Sequence, residues 1–168
     1  MKIELGARSE HWPVSHQKIQ SYLKDSLKEK VDEPVVTARV LNVERTFWEK
    51  ATILHQYAHL PSDKKILLRH SRHYYDFYCL LNAPQKALAL KNADLLEKVA
   101  HHKDIYFPSA WANYGQAKKG TLKLVPAAHT LSELQSDYRL MSEMFFEEPP
   151  TWGAIMITIG EFEEEFNF

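Results

Sequence analysis

One cysteine (Cys79), five glycines and a formal net charge of only −1 over 168 residues define what this chain has little of. A single thiol excludes an intramolecular disulfide and a cysteine-rich zinc framework, and it fits a reducing compartment. No apolar run approaches the roughly 18 residues of a membrane span, and Met1-Lys2-Ile3-Glu4-Leu5 lacks the apolar stretch of a signal peptide. These absences predict a cytoplasmic protein without a membrane segment. The near-zero net charge argues against coating nucleic acid by bulk charge. The chain also has no Gly-Gly dipeptide, no glycine-rich phosphate loop, no serine-nucleophile elbow and no Asp-x-Asp pair.

What is present is an ordinary globular composition with an uneven charge distribution. From Arg45 to Arg72 six basic residues face two acidic ones, with histidines interspersed, whereas from Glu143 onward there are seven glutamates and no Lys or Arg. Solvated helix faces account for such a pattern, and so does a central anion site with an acidic flank.

Alternation of Ile3 and Leu5 predicts a short strand at Lys2 to Gly6, followed by a helix over Ser15 to Leu27 and a β-branched strand over Val35 to Leu41. Asn42 can cap a helix running to about His59 with a stripe of Val43, Phe47, Leu54 and Tyr57. Further helices are expected from Lys64 or Arg69 to Leu81 and from Pro84 to His102, the latter with Leu88, Leu95 and Val99 on one face. Tyr106 to Pro126 reads as an irregular crossing segment. Thr130-Leu131-Ser132-Glu133 has the form of a capping box, ahead of Leu134, Tyr138, Met141 and Phe145 at helical spacing. After Pro149-Pro150, a last helix carries Trp152, Ile155, Ile159, Phe162 and Phe166 along one face. The expected fold class is α+β: a single, mainly helical domain over 1–168 with a small N-terminal β-sheet within 1–42 and a helical region over 43–168.

Two charges interrupt apolar patterns. Lys50 occupies a position of the 43–59 stripe, so it must snorkel, pair or meet an anion. Arg45 and Glu49 beside it read as surface pairing. Asp76 is the only charge in Tyr74-Tyr75-Asp76-Phe77-Tyr78-Cys79-Leu80-Leu81, where most of the helix circumference is apolar. Desolvating a carboxylate there costs several kcal/mol unless a cation or donors meet it. Arg69, Arg72 and His73 fall on the same helical face. That face reads either as a structural ion pair or as a cationic phosphate site anchored by Asp76 and facing Lys50. His55 and His59, at i and i+4, have a metal-compatible spacing, but Gln56 stands where a metalloprotease motif has Glu.

These residues also carry a resemblance. Val43-Glu44-Arg45-Thr46-Phe47-Trp48-Glu49-Lys50, Leu54-His55, Ser71-Arg72-His73-Tyr74-Tyr75-Asp76, Gly120-Thr121-Leu122-Lys123-Leu124-Val125-Pro126 and Asp137-Tyr138 together resemble the AbiEii/AbiGii toxin family of nucleotidyltransferases. The resemblance implies the remnant of a nucleotidyltransferase fold followed by a helical region. It also implies a role in a bacterial toxin–antitoxin or abortive infection system, with use of a nucleoside triphosphate and Mg2+. By the same resemblance Lys50 and Asp76 are the catalytic positions, with Arg72 as the basic position before Asp76; the cationic helical face adds Arg69 and His73 to Lys50 and Arg72 as candidates for holding nucleotide phosphates. Glu4 is a metal-ligand candidate. An acceptor such as tRNA, a cognate antitoxin, and self-association through an exposed sheet complete the implied partners. The family's glycine-rich turn and Asp-x-Asp pair have no counterpart in the sequence, so an incomplete, inactive chain is expected. The alternative is a non-catalytic helical module, or decayed remnant, that binds a protein or nucleic acid.

Overall fold

The computed structural model describes residues 12–21, 35–145 and 147–168. The chain divides into two compact units, Met1–Asn42 and Val43–Phe168. Elements are numbered here among the described residues.

In the first unit, β1 (Val14–Ile19) pairs antiparallel with β2 (Val36–Leu41), in a register running from Val14 opposite Leu41 to Ile19 opposite Val36. The Asn42 N–H donates to the Pro13 carbonyl at 3.0 Å and closes one end of the ladder. The strand expected at Val35 to Leu41 is present. The helix expected from Ser15 is not: Ser15 to Ile19 is strand, and residues 22–27 lie outside the described residues. Its apolar stripe starts only at Ile19, so Ser15 to Lys18 had no helical face to bury. The β-branched run of β2 supplies cross-strand hydrogen bonds instead. The strand expected at Lys2 to Gly6 also lies outside the described residues.

The second unit is helical and built around α1 (Val43–Ala58), which packs against α2 (Arg72–Asn82), α3 (Gln85–Lys91) and α4 (Asp94–Tyr106). Burial extends well beyond one stripe of α1: Phe47, Trp48, Ala51, Thr52, Leu54 and His55 are all essentially inaccessible. An α-helix buried around most of its girth lies at the centre of a core, and here the buried set includes the polar Thr52 and His55. Phe47 meets Phe77 of α2 at 4.9 Å between ring centroids, and Trp48 donates its indole N–H to the Ala89 carbonyl of α3 at 3.1 Å.

The single helix expected over Pro84 to His102 is two. Asn92 leaves the helical region, and its side-chain amide donates to the Leu88 carbonyl at 2.9 Å, replacing the ladder bond that would continue α3. The inward positions shift with the break: Ala89, Leu95, Leu96 and Val99 are buried, while Leu88 is exposed. The crossing segment from Phe107 to Pro126 is irregular as expected. Asn167 anchors it by bonding both backbone groups of Leu122, at 3.0 and 2.8 Å, and the Glu163 carboxylate accepts from the Leu124 and Val125 N–H groups.

Helix α5 (Leu131–Leu140) begins without the expected capping box. Thr130 has helical backbone angles, inside a 3-10 turn over Ala128–Thr130, and its hydroxyl donates backward to the Ala127 carbonyl at 2.7 Å. The helix stops at Leu140, and a 3-10 turn over Ser142–Met144 redirects the chain before Phe145. Helix α6 (Trp152–Asn167) is capped by Thr151, whose hydroxyl accepts the Ala154 N–H at 3.2 Å. All five residues of its expected stripe are buried.

Candidate active site

Lys50 and Asp76 meet. The Lys50 ammonium lies 2.6 Å from Asp76 Oδ2 and 3.2 Å from His73 Nδ1. An ammonium has donors only, so His73 accepts on Nδ1 and carries its proton on Nε2. Burial pushes the His73 pKa down to about 3, reinforced by the charges of Lys50, Arg72 and Lys103. His73 is therefore a neutral acceptor near neutral pH, and it orients Lys50 together with Asp76.

These residues line a cleft of about 610 Å³ of mixed chemistry. Its polar lining is Lys50 of α1, Arg72, His73 and Asp76 of α2, and Glu147; its apolar lining is Tyr75 of α2 with Met141, Met144 and Phe145. Tyr75 and Phe145 meet edge to face at 4.8 Å. Met141 to Phe145 reach this lining because α5 gives way to the 3-10 turn.

The loop that delivers α2 is held by Asp137, a buried carboxylate of α5. Its Oδ1 accepts the Arg69 N–H at 2.7 Å, and its Oδ2 accepts the Ser71 N–H at 2.9 Å and the Ser71 hydroxyl at 2.6 Å. Burial works to raise the Asp137 pKa, but these donors and the nearby His70 hold it below the usual carboxylate value. The clamp explains why α2 starts at Arg72 rather than at Lys64 or Arg69. Arg69 adopts a left-handed backbone with φ of 62°, outside any helix, and does not line the cleft. It therefore does not share the α2 face on which the sequence placed it.

Of the residues singled out in the sequence, Lys50, Arg72, His73 and Asp76 converge, Arg69 does not, and Glu4 lies outside the described residues. Arg45 departs from the surface pairing expected of it: it is 1% exposed and bonded to Glu49 at 2.9 Å. Lys103 of α4, which no sequence pattern singled out, donates to the Glu49 carbonyl at 3.0 Å. Burial pushes its pKa down to about 7, and the Glu49 charge only partly offsets this. Asp137 did leave a signal, because it sits between Leu134 and Met141 on the buried side of α5.

The His55 and His59 pair is structural. His55 Nδ1 accepts the Lys123 N–H at 3.0 Å, so its Nε2–H donates to the Asn113 carbonyl at 3.1 Å. His59 Nδ1 bonds the His55 carbonyl at 2.8 Å. Both His55 nitrogens are thus used in holding the crossing segment, and among the described residues no group of three potential metal ligands forms.

Burial lowers the His55 pKa from 6.5 to about 4 and outweighs its two backbone hydrogen bonds. The unfolded chain therefore binds more protons than the folded one as pH falls through this window, and stability is lost. His70 and His73, both lowered to about 3, act in the same direction. Going from pH 7 to pH 5 is expected to remove about 1–2 kcal/mol through His55 alone. Urea midpoints at the two pH values check this, and an unchanged midpoint would contradict it.

A family model described as nucleotidyl transferase AbiEii toxin, type IV toxin–antitoxin system, matches residues 1–162. The chain belongs to the AbiEii toxin family. No curated protein and no solved structure matches it. The family is one of nucleotidyltransferase toxins of type IV toxin–antitoxin systems, in which a toxin is paired with a cognate antitoxin. Among the described residues, no helix of this AbiEii chain is long and apolar enough to cross a membrane.

Proposed function

We propose that the cleft between α1 and α2 holds a nucleoside triphosphate for nucleotidyl transfer to an acceptor such as tRNA. The observation that carries this reading is a Lys50 ammonium fixed between Asp76 and His73 in a cleft that aromatic and thioether side chains also line. Phosphate oxygens suit Lys50 and the planar Arg72 guanidinium, which presents paired donors. The base suits the Tyr75, Phe145 and methionine wall, where stacking and sulfur contacts are favourable. Asp76 and His73 position Lys50 rather than react.

The reaction is attack of an acceptor hydroxyl on the α-phosphorus, forming a new phosphoester and releasing pyrophosphate as the leaving group. Mg2+ would normally screen the triphosphate in such chemistry. The described residues do not fit it: Asp76 is bonded to Lys50, Glu147 is the only other carboxylate lining the cleft, and no group of three ligands forms. The same observation favours a second reading, in which this chain binds the nucleotide without transferring it.

Incubation with each radiolabelled nucleoside triphosphate, Mg2+ and total tRNA separates the two, with equilibrium dialysis run in parallel. Saturable binding is expected under both readings; labelled RNA supports transfer, and binding without label supports the second. Absence of binding by all four triphosphates would overturn both. The proposed compartment is the cytoplasm, where the nucleotide and the acceptor are found together.

A further inference from the structure

Lys103 of α4 stands within electrostatic reach of Lys50 and His73 but does not itself line the cleft. It crosses to α1, where its ammonium donates to the Glu49 carbonyl at 3.0 Å, one residue before Lys50. That carbonyl also accepts the Thr52 hydroxyl at 2.9 Å, so the ammonium shares its one acceptor. The neighbouring charges pair off without it: Arg45 takes the Glu49 carboxylate at 2.9 Å, and Lys50 takes Asp76 at 2.6 Å. Among the described residues, no carboxylate lies within ion-pair distance of Lys103.

An ammonium held in protein with one neutral acceptor and no counter-ion is costly, and losing its proton relieves the cost. Burial accordingly brings the Lys103 pKa from 10.5 down to about 7; the Glu49 charge opposes this, and the Lys50 and Arg45 charges add to it. On the α2 side the charge of Lys103 acts on His73, which is a neutral ring near neutral pH. On α4 itself the next residue, Asp104, lines a separate hollow with Tyr114 and Lys118. An apolar side chain would fill the same space without the penalty. A lysine suits the position when an anion arrives nearby and supplies the missing counter-charge.

We propose that Lys103 is a third cation of the phosphate site, beside Lys50 and Arg72: a polyphosphate in the cleft draws a proton from solvent onto Lys103 Nζ, and the charge so gained tightens its binding. The inference rests on the phosphate half of the reading above, and neither on the base nor on transfer. Lys50 and Arg72 meet the anion directly, whereas Lys103 acts at longer range and is a positioning residue. Linkage fixes the sign of the effect: an anion that favours the charged lysine binds best where that lysine is already charged. Affinity is therefore highest below about pH 7 and falls as pH rises above it.

The test uses the full chain and inorganic trimetaphosphate, an anion that stays fully ionised across neutral pH and has no base to stack. Titration calorimetry is expected to show affinity about tenfold lower at pH 8.5 than at pH 6.5. At pH 8, comparison of buffers with different ionisation enthalpies should show roughly one proton taken up per anion bound. In Lys103→Met both signals are expected to vanish, leaving weaker binding that does not vary with pH. The unliganded variant should melt at or above the wild-type temperature at pH 8, because a thioether replaces an amine that has no counter-ion. A lysine that only ties α4 to α1 would instead lower the melting temperature and give no proton uptake. The inference is overturned by no binding of trimetaphosphate up to about 10 mM, by equal affinity at the two pH values, or by proton uptake that persists in Lys103→Met. Nucleoside triphosphates titrated into the same proteins separate the two proposals. Their binding without proton uptake removes Lys103 and leaves the nucleotide cleft standing. Trimetaphosphate binding with proton uptake, and no binding of any nucleoside triphosphate, supports Lys103 in a polyphosphate site and removes the nucleotide.

Discussion

Lys50→Met is expected to weaken nucleoside triphosphate binding by on the order of 100-fold, corresponding to about 2.7 kcal/mol and to loss of a charge-assisted contact. Methionine keeps most of the aliphatic stem that packs along α1 and removes only the ammonium. The fold should survive, because Asp76 is 39% exposed and can recover its hydration when its partner is lost. Stability is accordingly expected to change by no more than about 1 kcal/mol. Isothermal titration of wild type and variant, with thermal melts of both, separates the two quantities. Equal affinity in the two proteins would remove Lys50 from the phosphate site. A large fall in melting temperature would instead make it a structural lysine.

Asp137→Ala should produce the largest loss of stability of any single polar substitution proposed here, about 3 kcal/mol. It strands the Arg69 N–H and the Ser71 N–H, and leaves the Ser71 hydroxyl only the weak Met141 Sδ acceptor at 3.0 Å, in a site 8% exposed. In a chain of this size that corresponds to a melting temperature lower by roughly 6–12 °C. Asp137→Asn keeps one carbonyl acceptor and should lose less. Because the clamp sets where α2 begins, the alanine variant should also bind nucleotide more weakly at temperatures where it remains folded. A melting temperature within a degree or two of wild type would show that the loop holds its shape without the carboxylate.

The site was legible where charge interrupts an apolar pattern. Lys50 in a helix stripe and Asp76 in an aromatic run each required a partner, and each is the other's. Helices α1 and α6 were legible because their stripes are long and regular, and local spacing alone fixes such elements.

What the sequence concealed depends on contacts between distant residues. Arg69 has the spacing to sit on α2, but Asp137, 68 positions later, captures its N–H and turns the backbone left-handed. Thr130 and Glu133 have the form of a capping box, yet Thr130 already lies in a 3-10 turn where its hydroxyl has a nearer acceptor. Strand β1 is mostly polar, so only its pairing with β2 makes it a strand. The apolar wall at Met141, Met144 and Phe145 read as the continuation of α5. It lines the cleft because the helix ends one turn early.

The most direct test of the central claim is an NMR titration that follows the ring Hε1 resonances of His73 and His55 as nucleoside triphosphate is added. His73 accepts from Lys50 at 3.2 Å, so a triphosphate drawing on that ammonium must alter its surroundings. His55 is bonded to Asn113 and Lys123 and does not line the cleft. The account predicts a saturable shift of His73 with His55 unmoved, and loss of that shift in Lys50→Met. A stationary His73 at saturating nucleotide, or equal movement of both rings, would contradict it.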